Sequence, residues 1–471
     1  MKAAMKCILF LKGETMNNRD KELQELERRK KELNKPSPAH YFITIFVILI
    51  VIMMIDEFAS NTHNSVQTAV IDEFFIKGLG QTADEGAASF SIVSTLTMPI
   101  SILAVIFVTL CDRVGRKPIL IASVVGMGAA MLTAMISTDF RIYILSRILT
   151  TFFIATDVHQ IYMMEIVPQD KRATYINVAG AFGMFGNMMI SIARSMNTHN
   201  EVLNWRGVFL IPTVVAVISV IVLIVFARET KPFLETRIAY LEKDPEVRAK
   251  EKEQAKIDKA VQSKEAGIIP AFKYIISHKS AMMIMLAMLP ANFGMLTFAS
   301  FYELIMTSSG MSTSQVSAAL FIYPVAGAVM MVLIGMIADK FGRKPSALMT
   351  GVLAMASLLL FIYAAGHGFN PYLVGILYGI EVRCYWGYSS MLGLAFKENI
   401  PTYIRASSAS VTGIWGTLTM LVGSLIAASL LQSVGFMETI KYWSIIMMVL
   451  SIIIFYAFAK ETKGVDLESV E

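Results

Sequence analysis

The chain has 471 residues, of which 55% are hydrophobic and only 16% charged, with a formal net charge of +5 and a mean hydropathy of +0.59. Soluble globular domains carry about 25% charged residues, so this balance excludes a soluble globular protein and describes an integral membrane one. Its three cysteines (Cys7, Cys111, Cys384) fall on the basic side or inside apolar runs and offer no extracellular disulfide framework.

In chain order, residues 1–40 form a polar tail containing "ERRKKELNK", expected either to lie on anionic headgroups or simply to be solvated. Its opening, "MKAAMKCILFLKGETM", has too short an apolar part for a secretion signal and lacks a small-residue cleavage site, with Met16 an alternative start. Apolar runs of about 20 residues, enough to cross a ~30 Å hydrocarbon core, then recur at 41–66, 87–110, 118–138, 141–164, 174–195 and 206–227. A charged, helix-prone stretch follows, and six more runs occupy 280–306, 314–337, 346–365, 371–396, 406–432 and 440–459. Strands of a membrane barrel would be shorter and alternating. The expected fold is therefore an all-α bundle of twelve transmembrane helices in two halves. Its organisation reads as an N-terminal tail (1–40), a first six-helix half (41–227), a linker (228–279), a second half (280–460) and a C-terminal tail (461–471).

Lys and Arg collect in cytoplasmic connections. They crowd the first tail and the loops after span 2 (Arg113, Arg116, Lys117), span 4 (Lys171, Arg172) and span 8 (Lys340, Arg343, Lys344), whereas the connections between spans 7 and 8 and between 9 and 10 contain neither. Both termini and the linker are thus expected inside the cell, in the plasma or inner membrane.

The two basic loops are also an internal repeat: "CDRVGRKP" after span 2 and "ADKFGRKP" after span 8. Asp112 and Asp339 close their helices, and Gly115 and Gly342 permit a tight turn that returns Arg116 and Arg343 toward the helix ends. Such a charge clamp can form and break between conformations, and duplicated halves are a transporter architecture.

These loops resemble the hallmark of the major facilitator superfamily, matched in full by Gly335, Asp339, Lys340, Gly342, Arg343 and Lys344, with Val108 where the first half should carry its leading glycine. "YMMEIVPQDKRAT" (Glu165, Pro168, Arg172) and "KENIPTYIRAS" (Glu398, Pro401, Arg405) resemble the repeated E-x-x-P-x-x-x-R of the sugar porter and metabolite:proton symporter branches. "KETKGVDLE" is similar to the sugar porter ending, with Lys460 in place of proline. The resemblance implies alternating access and places Asp112, Arg113, Gly115, Arg116, Glu165, Arg172, Gly335, Asp339, Gly342, Arg343, Glu398 and Arg405 in the cytoplasmic gate. The glutamine pair that binds sugar in span 7 of those porters is missing here, as is the antiporter motif of span 5. Substrate identity stays open, as does symport against uniport.

Charges inside the spans concentrate in spans 1, 4, 7 and 10, which are expected to surround a central cavity. Asp56 and Glu57 lie in span 1, Arg147, Asp157 and His159 in span 4, Glu303 near the end of span 7, and Glu381 with Arg383 in span 10. At 1.5 Å per residue, Asp56 and Arg147 come out at one depth, where an acid and an arginine can pair and be parted by protonation. "IDEF" partly resembles the span 1 motif of the metabolite symporters, and Asp56, Glu57 and Arg147 are the candidates for proton coupling. Asp157, His159, Asn292, Glu381, Arg383, Tyr385, Trp386 and Tyr388 are the candidates for substrate binding or, alternatively, for ties between helices. Glu381, Tyr385 and Tyr388 share one stripe, while Glu381 and Arg383 point apart, so that Arg383 needs a substrate carboxylate or another internal acid. Glu303 reads as interfacial or functional, and Gly180, Gly183, Gly186, Gly413 and Gly416 read as close-packing positions.

The resulting expectation is a monomeric secondary transporter for a sugar, polyol or related polar metabolite, with a proton as coupling ion. An organic-acid symporter, an uncoupled facilitator and a non-transporting sensor are the alternatives. No nucleophile and base, metal cluster, cofactor loop or nucleic-acid surface is apparent in the sequence, which speaks against an enzyme.

Overall fold

A computed structural model describes residues 22–36, 38, 40–168, 172–251, 253–254 and 267–463. Cys7, Met16, Lys171, residues 255–266 of the linker and 464–471 of the C-terminal tail lie outside the described residues. Among the described residues nine helices are long and apolar enough to cross a membrane, or ten if the bent pair Ile268–Ser277 and Lys279–Gly294 counts as one. Two further segments belong to the same bundle. Arg172–Gly183 continued by Phe185–Met196 packs along Tyr41–Ser65, and Pro371–Glu398 lies between Thr313–Phe341 and Arg343–Gly366. Counting these, the bundle is consistent with the expected twelve members.

Local sequence sets several boundaries. The second span of each half opens on a capping box, Thr82 with Glu85 and Ser312 with Gln315, in which side chain and backbone satisfy each other's orphan donors. Span 2 is interrupted between Ala83–Thr97 and Ile100–Val108, at Pro99, which lacks an N–H for the helical ladder. Span 4 breaks between Phe140–Ile154 and Val158–Ile166, where Asp157 takes a left-handed conformation (φ 46°). By contrast, spans 8 to 12 are continuous helices of 29, 24, 28, 30 and 23 residues.

The two halves meet chiefly through a few pieces. Ala83–Thr97 packs on Arg405–Val434, Phe185–Met196 on Thr313–Phe341, and Tyr302–Ser308 on Tyr41–Ser65 and Gln67–Ile71. All of these lie toward the face opposite the basic loops. The continuations Ile100–Val108 and Arg172–Gly183 have their principal neighbours within their own half, so the halves diverge toward the basic face.

The basic tail does not follow either expectation. Its helical part, residues 22–33, is docked on the linker through Glu22 to Arg248 (2.7 Å) and Glu25 to Arg237 (3.0 Å), and Arg29 donates to the Val114 carbonyl. Opposite charges within the chain claim it.

The packing glycines also divide. A Cβ on Gly186 would fall 2.1 Å from the Met54 carbonyl, as expected of a close-packing position, whereas one on Gly180 or Gly413 would meet nothing within 4 Å. Unforeseen close approaches occur in span 10, where Cβ atoms on Gly375 and Gly379 would lie 2.2 and 2.4 Å from the carbonyls of Ala319 and Tyr323. Replacing Gly379 with valine is expected to destabilise the protein by about 1–3 kcal/mol, while Gly393→Ala, which faces open space, changes little; thermal unfolding in detergent compares the two.

Candidate functional site

The site is built in three tiers along the bundle, beginning at the basic face. Gly115 (φ 123°) and Gly342 (φ 97°) adopt the left-handed region that the turn requires. Directly after each, a new helix starts with exposed N–H groups and the positive end of its dipole. A carboxylate from the end of the same half covers it. Glu229 accepts from the amides of Arg116 (2.8 Å) and Lys117 (3.2 Å), and Glu461 accepts from those of Arg343 (2.8 Å) and Lys344 (2.9 Å). Burial pushes the Glu229 carboxyl above the usual range despite these donors. At Glu461 burial acts in the same direction, but the amides of Arg343, Lys344, Lys463 and Thr462 outweigh it and hold the carboxyl below that range.

Arg116 then pairs with Glu165 (3.0 Å) and donates to the Cys111 carbonyl (3.0 Å); Arg343 pairs with Glu398 (2.8 Å) and donates to the Ala338 carbonyl (3.4 Å). Thr230 and Thr462 complete the arrangement, each donating its hydroxyl at 2.5 Å to Glu165 and Glu398 respectively. "RETK" (228–231) and "KETK" (460–463) are thus a second repeat that locks onto the first, and its first copy went unread in the sequence. The clamp differs from expectation in its acid. Asp112 is highly exposed and pairs with Arg116 (3.1 Å), and Asp339 is exposed, because both sit on the solvent side of the turn. Arg113 lines an open cavity with Phe233 and Arg237, Arg172 is exposed, Arg405 donates to the Ile400 carbonyl (3.1 Å), and a Cβ on Gly335 would meet nothing.

In the middle tier, Asp56, Asp157 and His159 bring two carboxylates and an imidazole within 4.8 Å of one another. Asp56 Oδ1 is buried without a partner, His159 is only 3% exposed, and Asp157 accepts from Gln160 (2.9 Å). Such a donor set can hold a proton or a metal ion. The expected pairing of Asp56 with Arg147 is not formed. Span 4 breaks at Asp157, ten residues and about 15 Å of helix beyond Arg147, and the residue facing Asp56 is Asp157. Arg147 instead lies over the Phe90 ring (5.1 Å), its Nε and Nη1 without partners. Glu57 is held by Asn187 (2.9 Å).

Span 10 departs further from its reading. Glu381 is 1% exposed with Oε1 unpartnered, Tyr385 donates to the Ala291 carbonyl (2.7 Å), and Tyr388 bonds Ser451 (2.6 Å). The stripe therefore faces spans 7 and 12, since a helix lodged between neighbours has more than one inward face. Asn292 likewise ties span 7 to span 11 through Thr419 (2.9 Å). Trp386, on another face, reaches open space and lines a cavity of about 580 Å³ with Ser60, His63, Asn64, Thr97 and Arg147. His63, unremarked in the sequence, is fixed there by Tyr143 and Thr150 (3.2 Å each). Arg383 packs against Gly327 and approaches Met184 Sδ at 3.8 Å. Among the described residues no acid pairs with it within 4.0 Å, so of the two partners the sequence left open for it an internal acid is not in place.

The third tier seals the far face. Arg194 (1% exposed) and Glu303 (2%) form an ion pair at 3.3 Å between the halves. Thr68 donates both its amide (2.9 Å) and its hydroxyl (2.5 Å) to Glu303, and Arg194 also donates to the Ser65 carbonyl and to Ser317. Arg194 escaped notice because it stands one residue inside the end of span 5 and passes for a flanking charge. At the basic face, a double-mutant cycle on Arg343→Gln and Glu398→Gln, read by thermal unfolding, is expected to give a coupling of about 0.5–3 kcal/mol; additive losses would deny the brace.

Comparison with known proteins bears on this architecture. A model of the Major Facilitator Superfamily matches residues 39–427, whereas no curated protein sequence matches. Similar solved structures include a D-xylose-proton symporter (15% identity, TM-score 0.65, covering 90% of this chain and 99% of that one). The xylose transporter of E. coli in an inward-open conformation is similar to the same degree (15%, 0.65, 91% and 99%). A bacterial homolog of the human lysosomal transporter Spinster, inward-facing and unoccupied, follows at 13% identity and a TM-score of 0.58, covering 90% and 96%. At these identities the structures speak for the fold alone, but the family match spans most of the sequence: the chain belongs to the major facilitator superfamily of membrane transporters.

Proposed function

We propose that the protein is a secondary transporter that moves a small polar organic metabolite across the cell membrane by alternating access, with a proton as coupling ion. The observation that carries this reading is the uneven contact between the halves. They are joined by the buried Arg194 and Glu303 pair at one face and part toward the other, with the polar cavity between them. Since basic loops mark the cytoplasmic side, this conformer is inward-facing. Transport then requires the seal to open while the diverging ends of spans 2 and 5 close onto the second half.

Asp56 is the proton carrier in this reading. Its buried, unpartnered oxygen faces a second carboxylate, that of the exposed Asp157, and like charges at such range repel. A proton relieves the repulsion, so occupancy of the pair changes what span 1 and span 4 gain by approaching. Glu57 is instead held by the Asn187 amide. Asp56→Asn is accordingly expected to abolish accumulation driven by a pH gradient while preserving substrate exchange between equal pools in proteoliposomes. Loss of both activities, or of neither, would count against Asp56.

For the seal, Glu303→Gln leaves Arg194 buried without its counter-charge, a loss of about 3–5 kcal/mol for a fully buried pair, and should shift the population toward the outward-facing state. The readout is labelling of a cysteine at Thr417, on the cavity wall, by a membrane-impermeant thiol reagent from outside. Both described native cysteines, Cys111 and Cys384, are buried. At least tenfold faster labelling is expected, and an unchanged rate would refute the seal.

A further inference from the structure

We infer that the transported metabolite carries a carboxylate, and that Arg147 is the residue that receives it. This rests on the reading of the central cavity as the substrate site and goes beyond it in naming the chemical class. The cavity lies at the interruption of span 2 beside Pro99 and is walled by both halves, with Ser60, Thr97 and Arg147 on one side and Trp386 and Thr417 on the other. Its volume of about 580 Å³ falls in the range of ordinary small-molecule sites, about 300–1,000 Å³.

Charge distinguishes this cavity. Its lining includes one arginine and no aspartate or glutamate. Within the membrane a guanidinium is retained where an acid, a carbonyl array or water neutralises it. Arg147 has none of the first two: among the described residues no ion pair reaches it, and Nε and Nη1 are buried with no acceptor. What it does have is the face of Phe90, which orients the planar group by a cation–π contact. The acids that the sequence offered as partners are engaged or remote. Asp56 faces Asp157 and His159, Glu57 is held by Asn187, and Glu303 is consumed by Arg194.

The Arg147 guanidinium lines the cavity beside the Tyr143 hydroxyl with no acid upon it, and its charge favours a carboxylate over a hydroxyl-rich neutral sugar. Around it, Ser60, Asn64 and Thr97 supply hydrogen-bonding groups, and Trp386, 42% exposed, supplies an apolar or stacking face. Arg383 of the second half lies outside this lining, against Gly327 and Met184, so Arg147 is the one guanidinium the cavity presents among the described residues. The ligand described by these walls is a small organic anion with one carboxylate and a polar or ring-bearing body.

The test uses matched pairs that differ only in the carboxylate: glucuronate against glucose, and pyridine-3-carboxylate against pyridine-3-carboxamide. Binding to the full chain in detergent is followed by thermal shift and tryptophan fluorescence, with chloride as an inorganic anion control. In at least one pair the acid is expected to bind at least tenfold more tightly than its neutral partner. Arg147→Gln should erase that preference, and Arg147→Lys should keep it with weaker affinity. Equal binding of acid and neutral partners across both pairs by the parent protein overturns the inference even if the variants fail to fold; so does a preference that survives in Arg147→Gln, or one that chloride reproduces alone. Counterflow in proteoliposomes separates this from the broader proposal. Movement of neutral compounds only would sink the carboxylate and leave the transporter, while tight carboxylate binding without counterflow of any compound would do the reverse.

Discussion

A charge inside a low-dielectric layer must be neutralised or hydrated, and that constraint accounts for where the two halves are fastened. Where two halves must adhere and later part, the chain uses the Arg194 and Glu303 pair, almost entirely excluded from solvent. A buried ion pair is a suitable fastening for a reversible contact. Its Coulombic gain is largely cancelled by desolvation, so once water enters from the far side both partners recover hydration. An apolar patch of equal area would lose free energy on opening with nothing to offset it. The cost falls instead on a state in which only one partner is present, which keeps the gate from slipping into a half-paired arrangement.

The same constraint explains where helices are interrupted. Spans 2 and 4 of the first half are broken at Pro99 and Asp157, and span 5 is divided at Met184, whereas spans 8 to 12 are unbroken. A free backbone group at membrane depth is tolerated where it lines a wet cavity, and the breaks at Pro99 and Asp157 border the cavity and the acid cluster respectively. The left-handed Asp157 stores about 1–3 kcal/mol of strain, which its placement beside Asp56 gives a reason to keep. In this division of labour the first half carries the proposed ion chemistry and the second half serves as the stiffer wall.

What could be read from the sequence follows from which interactions are local. Span count, the two-half layout and the turn at Gly115 and Gly342 rest on composition and short motifs, and all were legible. Glu229 and Glu461 were not, because their partners lie 113 and 118 residues away, and one copy of the repeat they belong to has arginine where the other has lysine. Glu381, Tyr385 and Tyr388 share one stripe, yet periodicity cannot say whether that stripe faces a cavity or another helix when a span is lodged between neighbours on more than one side. Depth from residue counting failed at Arg147 because the helix of span 1 is prolonged by Gln67–Ile71, so that His63 and not Asp56 stands level with Tyr143 and Thr150 on either side of the arginine.

The break in span 4 also bears on coupling in the proposed cycle. Arg147 and Asp157 sit on the two pieces of one span, Phe140–Ile154 and Val158–Ile166, joined at the strained residue itself. A substrate anion on the first piece and a proton on the Asp56 and Asp157 pair need no direct contact to influence each other. Each changes the electrostatic preference of its own piece for span 1 or span 2, and the joint at Asp157 transmits the change in angle. Coupling of this kind requires an element with two arrangements that both sites bias. A helix that is whole would transmit the shift rigidly to its far end, and one with a flexible glycine at the joint would absorb it. An aspartate held in the left-handed region lies between these limits, since that conformation is open to it but sparsely populated for a residue with a Cβ.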